Sequence, residues 1–265
     1  MKPSDTLIEN LQHYSVRLND VFIPVTSIES VLANSTQHLV AATDHNDFPV
    51  SLVGSCVAVN YRDRFLVLCT RHQLSDWSYE RISLMIDDGR NAISSSGARF
   101  FEKNINDSDY HDLVAFNFTD PCAEIPRLRN LFFNLSTFPP DTSSDNVVGF
   151  IISGFPSAAQ NYDLASERKL DVVKVIATCQ LDGPRQPADE ALLRLKPCRP
   201  IPFNPDGMSG GPAYVIQLIN KQPHAYFAGI VVRANEDYVY IVRSGFVRKF
   251  LESCVVPTIT PIAYD

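Results

Sequence analysis

From residue 49 to residue 243 the chain alternates short apolar runs with polar turns: "FPVSLVGSCVAVNY", "RFLVLCT", "RISLMIDD", "ARFFEK", "DLVAFNF", "VVGFIISGF", "LDVVKVIATCQL", "ALLRLK", "GPAYVIQLI", "HAYFAGIVVRA" and "DYVYIVR". The runs are rich in β-branched and aromatic residues and almost nothing between them has helical spacing, so they predict an antiparallel all-β barrel or sandwich and not a parallel α/β sheet. Residues 4–45 follow another period. Leu7, Ile8 and Leu11 recur at helical intervals behind Ser4 as a cap, and "TSIESVLANSTQHLVAA" repeats the pattern, which predicts one or two amphipathic helices packed on the body. Near the other end, "SGFVRKFLESC" places Phe246, Val247, Phe250 and Leu251 on one helical face.

Composition narrows the function classes. A chain of 265 residues, 45% hydrophobic and 20% charged, holds one sizeable domain, or one domain with an appendage. Its formal net charge of -7 and lack of any Lys/Arg run argue against nucleic acid or an anionic membrane surface as partner. The N-terminus lacks the apolar core of a secretion signal and no 18-residue apolar stretch occurs, so the expected location is cytoplasmic. The six cysteines, Cys56, Cys69, Cys122, Cys179, Cys198 and Cys254, then read as reduced and mostly buried thiols. No Cys/His spacing of a zinc site is present, and neither metal nor cofactor is expected.

One loop stands out chemically. Of only 11 glycines, Gly207, Gly210 and Gly211 crowd around Ser209 in "FNPDGMSGGPAY". Glycine serves where the backbone takes positive φ or approaches another group closely, so the cluster suggests a hydroxyl held out for use. A serine hydroxyl becomes a good nucleophile only when a base takes its proton. His13 and His38 fall in the helical region, His45 in a polar loop and His224 in a turn, whereas His72 directly follows the strand "RFLVLCT". Asp112 holds the complementary place at the start of "DLVAFNF".

Together these pieces resemble the chymotrypsin-like serine proteases. "VGSCVAVN" with "FLVLCTRH" is similar to the hairpin that delivers the family's histidine, "HDLVAFNF" to the strand of its aspartate, and "DGMSGGPAY" to its nucleophile loop; "VVGFIISGFP", "FAGIVVRA" and "VYIVRSGFVRKFL" extend the likeness over residues 50–252. The resemblance implies two consecutive antiparallel six-stranded β-barrels, at about residues 49–135 and 136–245, then a C-terminal helix, all behind an N-terminal helical extension of residues 1–48. It implies a serine endopeptidase acting on protein or peptide, with His72 as base, Asp112 orienting it, Ser209 as nucleophile and the N–H groups of Gly207 and Ser209 as oxyanion hole. Phe203, Ala234 and Tyr238 would line an apolar substrate pocket suited to a small or medium side chain, and regulation would come from the N-terminal extension, from a protein partner or from assembly.

The same loop reads as the G-x-S-x-G elbow of α/β-hydrolases, but too little chain follows Ser209 and βα alternation is missing. Departures from the protease pattern are Arg71 in place of a small residue before the histidine, and Val232 where many secreted members have a serine supporting the aspartate. Cys56 and Cys69 do not match the usual disulfide flanking the histidine, and no "IVGG"-type sequence precedes the barrel. The competing reading is a catalytically silent module of the same fold used for binding, although such modules usually lose a residue that this chain keeps.

Overall fold

The computed structural model describes residues 14–46, 49–86, 91–101, 108–140, 142, 145–163, 169–201 and 204–255. The strands in chain order are β1 (Ser15–Leu18), β2 (Val21–Pro24), β3 (Thr36–Ala42), β4 (Val50–Tyr61), β5 (Arg64–Thr70), β6 (Ile82–Ile86), β7 (Asn91–Ser94), β8 (Gly97–Phe100), β9 (Leu113–Asn117) and β10 (Phe133–Asn134). They continue as β11 (Val147–Gly154), β12 (Asn161–Asp163), β13 (Lys169–Asp171), β14 (Val175–Leu181), β15 (Leu192–Pro197), β16 (Pro212–Ile219), β17 (Gln222–Ala234) and β18 (Val239–Arg243). The helices are α1 (Ile28–Ala33), α2 (Thr119–Glu124) and α3 (Ser244–Val255).

Two antiparallel sheets account for the apolar runs. The second closes on itself as a six-stranded barrel, β16-β11-β14-β15-β18-β17, because β16 also pairs with β17. The first, β7-β6-β3-β4-β5-β9-β8, curls without closing. One edge of the barrel sheet is extended by β1, which runs parallel to β17, and by β2.

Alternation along the central strands explains why both faces are apolar. In β4, Cys56 and Ala58 face the interior of the first sheet with Val67 and Cys69 of β5, while Val57, Val59, Leu66 and Leu68 face the second barrel. In β17, Ala228 and Val231 fill the barrel interior, while Ile230 and Val232 join the cluster between the sheets. With a period of two and both faces covered, such strands appear as continuous hydrophobic runs. Val247, Phe250 and Leu251 of α3 pack into the same inter-sheet cluster, as their helical spacing predicts. Polar pairs cross the seam too: Ser35 Oγ meets Tyr214 OH at 2.5 Å, and Thr36 Oγ1 meets Ser153 Oγ at 2.5 Å.

The N-terminal region departs from the expected helices. Residues 1–13, and with them His13 and most of the first expected helix, lie outside the described residues; residues 15–24 form a hairpin turning at Asn19, whose φ is 51°. Of the second expected helix only Ile28–Ala33 is α-helical, behind a 3-10 turn at Val25–Ser27, and Thr36–Ala42 is the strand β3 of the first sheet. The reason lies in burial: Leu39 and Ala41 point to one cluster and Val40 to another, so the apolar run has no polar face from which to read its period. Pairing with β4 along its length and with β6 then settles the conformation.

Candidate active site

Register brings His72 and Asp112 together. β5 and β9 are antiparallel neighbours with Thr70 opposite Leu113, so the residues just after β5 lie beside the residue just before β9. His72 opens the 3-10 turn His72–Leu74, and Asp112 closes the turn Asp109–Asp112. The Arg71 N–H donates to the Asp112 carbonyl, the His72 N–H donates to Asp112 Oδ1 at 3.0 Å, and Asp112 Oδ2 pairs with His72 Nδ1. An imidazole held this way carries its proton on Nδ1 and leaves Nε2 as the acceptor.

Ser209 approaches from the second barrel, on the loop before β16. Its hydroxyl donates to the Val232 carbonyl at 3.2 Å. The flanking glycines are needed for backbone reasons. Gly207 has φ +93° and Gly210 φ +84°, and a Cβ on Gly210 would stand 2.2 Å from the Ser55 carbonyl oxygen. Within the loop, Met208 N–H donates to Pro205 O at 3.0 Å and Gly210 N–H to Val231 O at 2.7 Å. Among the described residues no acceptor meets the N–H of Gly207 or of Ser209. The Asp206 carbonyl is taken by the Ser157 N–H at 2.6 Å, and because the peptide plane is trans the Gly207 N–H points the opposite way.

His72, Gly207 and Ser209 line one cleft of about 490 Å³, together with Val53 and Gln73 from the first sheet and Val232 from the second. Ala234 and Tyr238, expected at the pocket, line it as well; Phe203 lies outside the described residues. Tyr240 packs edge-on to Tyr238 at 5.2 Å, and the Arg194 guanidinium lies over the Tyr238 ring at 4.4 Å. Arg233, also on the cleft, pairs with Asp109 at 2.6 Å and so ties the wall of the second barrel to the turn that ends in Asp112.

Several of these partners have no sequence signature. Ser55 is fully buried in β4; its N–H and its Oγ both donate to the Gly207 carbonyl, at 3.0 and 2.6 Å, and its Oγ accepts from the Phe155 N–H at 2.7 Å. Gln73, next to His72, donates to the Ser55 carbonyl at 2.8 Å and accepts from Thr70 Oγ1 at 2.9 Å. The histidine turn and the serine loop thus share one hydrogen-bonded bracket. Among the described residues no group of three His, Cys, Asp or Glu side chains is placed to hold a metal ion. Cys56, Cys69, Cys122 and Cys179 are buried free thiols, and burial pushes Cys122 up to about 11 and Cys179 to about 12. No described helix is long and apolar enough to cross a membrane. A scan of protein-family models finds no match to the chain, and a search of curated proteins finds no significant relative.

Proposed function

We propose that this chain is a serine endopeptidase with a chymotrypsin-like arrangement, cleaving protein or peptide substrates through an acyl-enzyme. The observation that carries the reading is the His72–Asp112 pair on one side of a cleft whose other side presents Ser209 between two positive-φ glycines. His72 Nε2 accepts the Ser209 proton as Oγ bonds to the scissile carbonyl carbon, and the resulting oxyanion is met by the N–H groups of Gly207 and Ser209. The imidazolium then gives that proton to the leaving amine, freeing one peptide fragment and leaving an ester on Ser209. Water, deprotonated by His72, cleaves the ester and restores the hydroxyl. Asp112 fixes the tautomer and stabilises the imidazolium in both halves.

Ala234, Tyr238 and Tyr240 favour an apolar side chain before the scissile bond. The buried thiols of Cys56 and Cys69 suit a reducing compartment, which is why the cytoplasm belongs to the same proposal. One observation favours the silent binding module instead: the Ser209 hydroxyl is bonded to Val232 O. Labelling with a fluorophosphonate, read by intact mass on the wild type and on Ser209→Ala, separates the two. A single adduct on the wild type alone supports the peptidase, and a folded wild type that takes no adduct refutes it.

A further inference from the structure

A second cavity, of about 360 Å³, shares no lining residue with the cleft. Its volume lies in the range of small-molecule sites. His38 comes to it from β3, Arg127 from the turn Pro126–Leu131 that follows α2, and Lys174 from the residue before β14. Met85, Leu128 and Phe155 supply apolar wall, and no carboxylate side chain is among the described residues lining it.

Two of the polar groups are incompletely used. Lys174 is half-buried; its ammonium donates to Ala33 O at 2.7 Å and stands 5.5 Å from the centre of the Phe155 ring, which leaves hydrogens for a further acceptor. His38 is only 3% exposed, packs edge-on against Phe155 at 4.9 Å, and has no hydrogen-bond partner at Nδ1 among the described residues. Burial pushes its pKa down to about 4, so the ring is neutral near pH 7 and Nδ1 can donate or accept one bond. Two cations above an apolar wall complement one ligand type, a carboxylate head on an apolar body.

Phe155 connects the cavity to the Ser209 loop. Its ring faces His38 and Lys174, its N–H donates to Ser55 Oγ, and that hydroxyl donates to the Gly207 carbonyl. Its own carbonyl lies 2.7 Å from where a Cβ on Gly207 would stand.

We propose that this cavity is a binding site for a small organic monocarboxylate with an apolar body, held by Lys174 and Arg127, whose occupancy is transmitted through Phe155 and Ser55 to Gly207. The test is an NMR titration of the full-length Ser209→Ala chain, ¹⁵N-labelled, with 4-phenylbutyrate. The alcohol 4-phenylbutan-1-ol serves as the uncharged counterpart and inorganic phosphate as an anion without an apolar body. No turnover is involved, so the outcome is independent of whether Ser209 is a nucleophile. Saturable binding is expected, with the alcohol and phosphate each at least tenfold weaker, and with the Phe155 and Gly207 amide resonances moving along the same curve. Lys174→Met should weaken 4-phenylbutyrate about tenfold; Arg127→Met replaces it should that variant lose its native spectrum. Equal binding of acid and alcohol, or an unchanged affinity in the cation variant, overturns the site. Shifts that leave out Gly207 overturn the transmission.

Discussion

Ser55 belongs to the first sheet by its backbone and to the serine loop by its side chain, so Ser55→Ala probes the bracket while leaving His72, Asp112 and Ser209 in place. The substitution removes one oxygen from a fully buried position and leaves the volume almost unchanged. Two hydrogen bonds are lost, to Gly207 O at 2.6 Å and from Phe155 N–H at 2.7 Å. The Gly207 carbonyl keeps the Ser55 N–H at 3.0 Å, but the Phe155 N–H is left buried and unpaired. An orphaned buried donor costs about 1–3 kcal/mol. For a chain of this size that corresponds to a drop of roughly 2–12 °C in Tm. In the proposed mechanism the Gly207 N–H is an oxyanion donor on the residue whose carbonyl Ser55 holds, so the effect on chemistry should exceed what stability explains. Outright deletion of such a donor costs about 100- to 1,000-fold. Misaligning it should cost about tenfold. The assay pairs thermal unfolding with the second-order rate of fluorophosphonate labelling, measured well below the variant's Tm. A labelling rate within twofold of wild type, despite the lower Tm, would show that Ser55 supports the fold and does not position the loop.

Other outcomes follow from the same geometry. Asp112→Asn should keep the fold and lower the labelling rate by about 10⁴-fold, since an amide at this place favours the wrong tautomer of His72; a loss under tenfold would remove Asp112 from the proposed machinery. Gly210→Ala combines a φ of +84° with a Cβ 2.2 Å from Ser55 O, so denaturant unfolding should show a loss of about 3 kcal/mol or more, or no folded protein at all. A loss below 1 kcal/mol would mean that the loop can shift. His38 has its folded pKa depressed from the ordinary 6.5 to about 4, so the unfolded chain binds the extra proton first as pH falls. The stability it contributes is full above pH 6.5 and declines by up to about 3 kcal/mol on acidification to pH 4. Lys174 and Arg127 line the same cavity as His38. Urea unfolding of wild type and His38→Leu at pH 7.5 and 4.5 should show a smaller acid loss in the variant, and equal slopes would contradict the assignment.

Much of the architecture was legible because short apolar runs rich in β-branched residues are bounded by polar turns. The runs at 64–70, 147–154 and 239–243 became β5, β11 and β18, and Phe250 and Leu251 marked the inner face of α3. The region 36–42 misled because its apolar side chains are covered on both faces, so its spacing allowed helix or strand until β4 and β6 paired with it. Ser209 was conspicuous for its glycines, and His72 and Asp112 for standing at the ends of apolar strands. Ser55, Phe155, Gln73 and Ser157 carried no such mark.

What the amino-acid sequence determined by itself is therefore the set of β-runs, the C-terminal amphipathic helix and the three candidate side chains, all of which follow from local period, turn chemistry and residue type. Only the tertiary structure decided that the first sheet curls open while the second closes, that His72 meets Asp112 through the β5–β9 register, and that Ser55 holds a loop 152 positions away. It also decided that a buried histidine of the expected helical region lines a second cavity. The physical reason is range: periodicity and capping act over a few residues, whereas register, sheet closure and hydrogen bonds between sheets join groups that no local pattern connects.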